Sequence, residues 1–338
     1  MCTSIEMTAK NGEVFWGRTM DLSLPMFGEL GGGARSVITS FPAGVKIKSQ
    51  LKSWSALYAV MGIGIRGTSI LYDGINEAGL AGDLQVLFET TAASRTEIDQ
   101  RNQIPVMNAE FVTYILTHYQ SVAEIRQNYH QFAVLAESMV VHGKTVTTPI
   151  HYNFVDPSGD SVVLEATDRG SFKLYDSVGV MTNSPEYDWH VTNLRNYIGL
   201  DKWNLRHRRR YREGQVLKPL DAGIGYGLAS LPGSYTSVDR FIRSFMITSM
   251  MDEFEAKDGV NQLYAAFHSV IIPQGVERNS ENNTASEHTR YWVGYDLEQR
   301  RLYVQPSVGL AFTSKQLDPL TADIEIEEIN TGNYFDQR

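Results

Sequence analysis

The chain opens "MCTS", and Cys2 is the only cysteine among 338 residues. A lone cysteine is most often a small buried hydrophobe. Its place next to the start of the chain suggests another role. Initiator methionine is normally trimmed before a small residue, and trimming would leave Cys2 carrying a free α-amine. A thiol and an α-amine, with ordinary pKa values of about 8.5 and about 7.7, would then share one residue. The amine can take the thiol proton and later give it to a leaving group, so the nucleophile supplies its own base and no histidine is required. The eight histidines are scattered and form no recognisable Cys-His motif. A second polar group lies in "GRTMD": Arg18 can stabilise a thiolate and Asp21 can hold an ammonium.

These residues need strands to bring them together. "TSIEM" alternates, with Ile5 and Met7 on one face and Ser4 and Glu6 on the other. "AKNGE" is a hairpin turn and "VFWGRT" returns as the second strand, with Val14, Trp16 and Arg18 on one face. Cys2 and Arg18 therefore lie near the open end of one hairpin. Further strands are predicted at "SVITSF" and "WSALYAVMGIGI", and helices at "VMNAEFVTYILTHY" and "SVAEIRQNYHQFAVL". "HYNFVDPSGDSVVLEAT" reads as a hairpin continued by "SFKLYDS" and "VGVMTN". "YDWHVTNLRNYI", "SVDRFIRSFMITSMM" (with Ser237 as its N-cap) and "VNQLYAAFHSVI" read as helices, and "TRYWVGYDLEQRRLYVQP" as a final hairpin. This order predicts an α+β layered fold of antiparallel sheets covered by helices, in a single domain over residues 1–338.

Several functions are disfavoured. The net charge of −9 argues against nucleic-acid partners and anionic membrane surfaces. One cysteine allows no internal disulfide and no cysteine-rich metal site. "GIGIRG" at 62–67 matches a dinucleotide fingerprint, but strand-like "TSILYDG" follows where a helix is needed. "RHRRRYR" at 206–212 reads as a solvated or subunit-contacting segment, and "NNT" at 282–284 as a chance sequon. The longest apolar run is too short to span a bilayer. As it stands the sequence suggests a cytoplasmic protein, or a periplasmic or secreted one if a leader is cut off before Cys2.

Five stretches in order, "MCTS", "GRTMDL", "DGINEAGL", "MTNSPEYDWHVTNL" and "GLASLPGSYTSVDRFIRSF", resemble the choloylglycine hydrolase family of bile-salt hydrolases and penicillin V acylases. The resemblance implies the N-terminal-nucleophile (Ntn) hydrolase αββα sandwich. It implies Cys2 as nucleophile, Arg18 and Asp21 as the polar pair lining it, Asn183 as an oxyanion donor and Arg240 as the arginine completing the network. It also implies an acyl pocket at Met20, with Phe27, Met61, Ile63 and Ile65 as neighbours by analogy. The substrate would be a small N-acyl amide, cleaved without cofactor or metal. Where bile-salt hydrolases carry the asparagine of "GLNF", Val86 or Gln85 stands here, which turns the expectation toward penicillin V acylase-like activity. Conjugated bile-salt hydrolysis, acyl-homoserine-lactone acylase activity and an inactive binding protein retaining the fold are the alternatives. In the family it resembles, the extension matching the long segment that holds the arginine run packs between subunits, so the resemblance implies a homotetramer, with a dimer as second choice.

Overall fold

The structure, a computed structural model, describes residues 1–29, 35–141, 144–146, 148–204, 208–219, 224–278 and 285–333. Two large sheets dominate the described residues. One has, in spatial order, the strands Val180–Met181, Cys2–Thr8, Val14–Leu22, Ser286–Asp296, Arg301–Pro306 and Thr313–Gln316, with Glu277–Arg278 paired to the long fourth strand. The other runs from Glu325–Glu327 through Ser36–Phe41, Val60–Ile65, Leu71–Asn76, Ala81–Val86, Ile150–Val155, Ser161–Asp168 and Ser171–Asp176 to Phe132–Val134 and Ile104–Val106. All pairings are antiparallel except the outermost, between Phe132–Val134 and Ile104–Val106.

Side-chain alternation sorts each strand between two layers. Trp16, Met20, Ile38, Met61, Ile63, Tyr291 and Tyr295 meet between the sheets. On the far side of the first sheet Ile5, Met7, Phe15 and Trp292 pack against Leu263, Ala266 and Phe267 of the helix Gly259–Phe267. The helix Ser237–Met250 covers the same sheet through Phe241, Ile242 and Met246. The second sheet is covered by Phe111–His118 and Val122–Asn128, whose Phe111, Ile115 and Ile125 join Leu71, Tyr152 and Leu164. The result is helix, sheet, sheet, helix, the Ntn-hydrolase sandwich. No described helix is long and apolar enough to cross a membrane.

Gly62 and Gly64 have a structural use. A Cβ on Gly62 would collide with the Asp73 carbonyl oxygen, and one on Gly64 with that of Ile70. Gly67 turns the chain with φ +73°. The three glycines of "GIGIRG" thus serve a tight strand pair.

Three sequence expectations need correction. The "WSALYAVMGIGI" strand is broken: Trp54–Ser55 belongs to a small hairpin, and the main strand starts at Val60. The second predicted helix stops at Asn128, and "FAV" pairs as a strand because Phe132, Ala133 and Val134 bury themselves at the sheet edge. The N-cap of Ser237–Met250 is Thr236, whose hydroxyl accepts from the Asp239 amide, and Ser237 is the first helical residue. Ile65 packs apart from the other residues expected to neighbour the acyl pocket. The pairing of its strand with Leu71–Asn76 slips between Ile63 and Gly64, and Ile65 packs with Ile70, Met107 and Ala109. The "NNT" sequon and residues 206 and 207 of the arginine run lie outside the described residues. Arg208 leads into the exposed strand Arg209–Arg212, which holds the rest of the run.

Candidate active site

The first hairpin aligns Cys2 with Met20 and Ser4 with Arg18. Cys2 and Arg18 therefore project from adjacent strands into the inter-sheet layer, where both are buried. Arg18 Nη2 lies 2.7 Å from Cys2 Sγ and 3.5 Å from Met20 Sδ. Its remaining donors are fixed: Nη1 on the Tyr72 and Leu84 carbonyls, each at 3.1 Å, and Nε on the Thr19 carbonyl at 3.2 Å. Asp73 and Asp83 stand 3.8 Å and 3.6 Å from the guanidinium. Burial works against the charge on Arg18, but Cys2, Tyr291, Asp83 and Asp73 outweigh it and hold the guanidinium above its ordinary pKa. A guanidinium fixed on a sulfur is an arrangement able to support nucleophilic thiol chemistry.

A different set of groups holds the backbone nitrogen of Cys2. The Cys2 N–H donates to Asn183 Oδ1 at 2.8 Å. Arg240 Nη2 donates to the same oxygen at 2.9 Å, and Arg240 Nη1 donates to the Cys2 carbonyl and Thr3 Oγ1. Arg240 is fully buried in the first turn of its helix, where desolvation lowers its pKa against the pull of Asp21 and Cys2. The pairing of Val14–Leu22 with Ser286–Asp296 slips between Met20 and Asp21. Such a bulge re-aims the chain beyond it. The Asp21 amide bonds the Met1 carbonyl at 2.8 Å, and its carboxylate accepts from Thr289 Oγ1 at 2.6 Å and Thr19 Oγ1 at 3.2 Å. The α-amine of Met1 itself contacts the Asp21 carbonyl at 2.6 Å and the Glu287 carboxylate.

Asn183 is gripped from every side. Its amide donates to Ser237 Oγ at 2.9 Å and its carbonyl accepts from His190 Nε2 at 2.9 Å. Burial drives His190 down to about 4, so the imidazole is neutral and donates from Nε2. With Oδ1 facing two donors, Nδ2 points the other way and donates to the Val86 carbonyl at 2.9 Å. Next door, His151 bridges the Thr182 carbonyl at 2.8 Å and Glu165 at 3.0 Å.

The structure thus brings together Cys2, Arg18, Met20, Asp21, Asn183 and Arg240, with Val86 contributing its carbonyl. Phe27, Met61 and Ile63 share the buried cluster of Cys2 and Met20; Ile65 does not. Ser237 as a partner of Asn183, and His190, Asp73 and Asp83, were missed by sequence reasoning, while Gln85, weighed with Val86 for the place of the family asparagine, instead donates to Ser4 and Asp83. Ser237 and His190 lie inside the quoted family stretches, but nothing in their spacing shows that they fold onto Asn183.

The family model for linear amide C–N hydrolases, choloylglycine hydrolase family, matches residues 2–322. The chain belongs to that family. It is 29% identical to a bile salt hydrolase/transferase of Clostridium perfringens over 99% of this chain and 97% of that protein. It is 28% identical to a penicillin V acylase of Pectobacterium atrosepticum over 73% of this chain and 61% of that one. The fold superposes on the conjugated bile acid hydrolase of C. perfringens with a TM-score of 0.85 at 23% identity, covering 100% of this chain and 99% of that one. The penicillin V acylase of Agrobacterium tumefaciens gives 0.70 at 19% identity, covering 98% and 95%. This family member is a hydrolase of linear amides.

Proposed function

We propose that Cys2 is the nucleophile and that its α-amine, once Met1 is removed, is the proton carrier. The observation that carries this reading is the pair of contacts on one residue: Arg18 Nη2 on Cys2 Sγ at 2.7 Å and Asn183 Oδ1 on Cys2 N at 2.8 Å. The thiol proton passes to the α-amine, and sulfur attacks the amide carbon. One hydrogen of Asn183 Nδ2 stays on Val86, and the other serves the oxyanion, joined by a backbone N–H near Val86. The α-ammonium then protonates the leaving amine, giving a thioester. Water adds to the thioester carbon with its proton going to the α-amine, and the acid leaves as the thiol reforms. Asn183 Oδ1 and Asp21 hold the amine through both steps.

For the substrate, we favour conjugated bile salts over penicillin V. Near-full-length similarity to the C. perfringens bile salt hydrolase/transferase supports this, whereas the P. atrosepticum acylase matches less of both chains. Penicillin V is kept as the second reading because Val86 or Gln85 stands where the asparagine of "GLNF" is expected. The acyl-homoserine-lactone alternative has no observation in its favour. The test is kcat/KM for glycocholate, taurocholate and penicillin V on one enzyme batch. A lead for penicillin V would overturn the substrate assignment and leave the Cys2 mechanism standing.

A further inference from the structure

Three acidic groups approach three different nitrogens of the same guanidinium. Cys2 Sγ lies on Arg18 Nη2 at 2.7 Å, Asp73 Oδ2 near Nη1 at 3.8 Å, and Asp83 Oδ2 near Nε at 3.6 Å. The two carboxylates are not equivalent. Asp73 receives the hydroxyls of Tyr291 at 2.6 Å and Tyr295 at 2.5 Å, one on each oxygen. Asp83 receives only the Gln85 side-chain amide, at 2.8 Å on Oδ2, and its Oδ1 has no partner among the described residues. The same Gln85 nitrogen donates to Ser4 Oγ at 2.7 Å, so Asp83 is tied to the strand that carries Cys2.

We propose that Asp83 is a positioning residue that competes with the Cys2 thiolate for Arg18 and so sets the pH range in which the nucleophile is reactive. With both carboxylates ionised, the cluster already carries one more negative than positive charge, and a thiolate would add another. With Asp83 protonated, Arg18 is balanced by Asp73 and the sulfur can take the negative charge at lower cost. The groups facing Asp83 are Arg18, Asp73, His151 and the Tyr295 hydroxyl, each from a different strand. Burial, aided by Asp73, pushes the Asp83 carboxyl up to about 6 against the opposing effects of Arg18, Gln85 and His151. Competition for Arg18 therefore begins near neutral pH.

The inference rests on Cys2 being the nucleophile, but its test needs no substrate. Cys2 is the only thiol, so iodoacetamide reports it alone. Alkylation rates of wild type and Asp83→Asn are compared from about pH 5 to about pH 9. The two should agree at about pH 5, where Asp83 is protonated. Above about pH 7 the variant should react faster, by about tenfold, until the thiolate saturates. Gln85→Ala is the second variant, in case Asp83→Asn does not fold: losing Asp83's donor should extend its protonated range upward, giving faster alkylation only around neutral pH. Equal rates at every pH would overturn the proposal. Slower rates at every pH would also overturn it, because Asp83 would then merely hold Arg18 in place. If no amide is cleaved, the functional reading fails while this comparison still decides the role of Asp83.

Discussion

Asn183 is held at its backbone amide, its backbone carbonyl and both ends of its side chain. In the proposed mechanism such a donor would need no reorganisation when an oxyanion forms. Asn183→Ala should lower kcat by about two to three orders of magnitude with little change in KM. Cys2→Ala should abolish turnover with the thermal transition retained, and Cys2→Ser should leave only a trace, since a hydroxyl is far harder to ionise than a thiol. His190 gives a stability prediction. Its folded value of about 4 lies below the ordinary 6.5, so the unfolded chain binds the proton more readily. His190 therefore contributes stability above about pH 6.5, and that contribution, about 3 kcal/mol, is lost as pH falls toward about 4. His190→Asn should flatten the fall in urea midpoint over this window; an unchanged slope would mean that His190 is not buried neutral. In the sequence, Cys2 was singled out by its position alone. Asn183 and Arg240 were visible only through family motifs, because their partners lie far away along the chain, as the 181-residue separation of Cys2 and Asn183 shows.

At the level of elements, the first hairpin was legible because alternation and Asn-Gly are local signals, and its register alone places Arg18 beside Cys2. The bulge after Met20 and the slip after Ile63 were not, since each is set by a partner strand distant in sequence or by a close backbone approach. The slip sends Ile65 to a different cluster from Met61 and Ile63. Ser237 was taken for a cap because its residue type suits one, but the structure uses its hydroxyl to fasten the loop carrying Asn183 to the helix carrying Arg240. Ser237→Ala should strand a buried amide and cost about 1 to 3 kcal/mol in urea unfolding. It should also lower kcat by about tenfold with KM nearly unchanged. A stability loss with kcat intact would show that the fastening does not position Asn183.

Across the whole molecule, the layer order was legible from the succession of strands and helices, since each must bury one face. The inter-sheet polar ties, such as Tyr291 and Tyr295 on Asp73, were not, because nothing local marks them. The segment around the arginine run leaves Ile198, Trp203, Leu217 and Ile224 exposed. Apolar surface gathered in one segment fits the subunit contact that the family resemblance implies. Light scattering should give a particle of about four times 37.9 kDa, and a monomer would contradict the proposed tetramer. The mechanism itself depends on the amine of Cys2 being free. Its most direct test is turnover of one amide substrate by two preparations whose intact masses show Met1 absent or retained. The chain starting at Cys2 should turn over and, when quenched in acid, carry the acyl mass on Cys2, while the chain retaining Met1 should be inactive. Full turnover with Met1 in place would contradict the account.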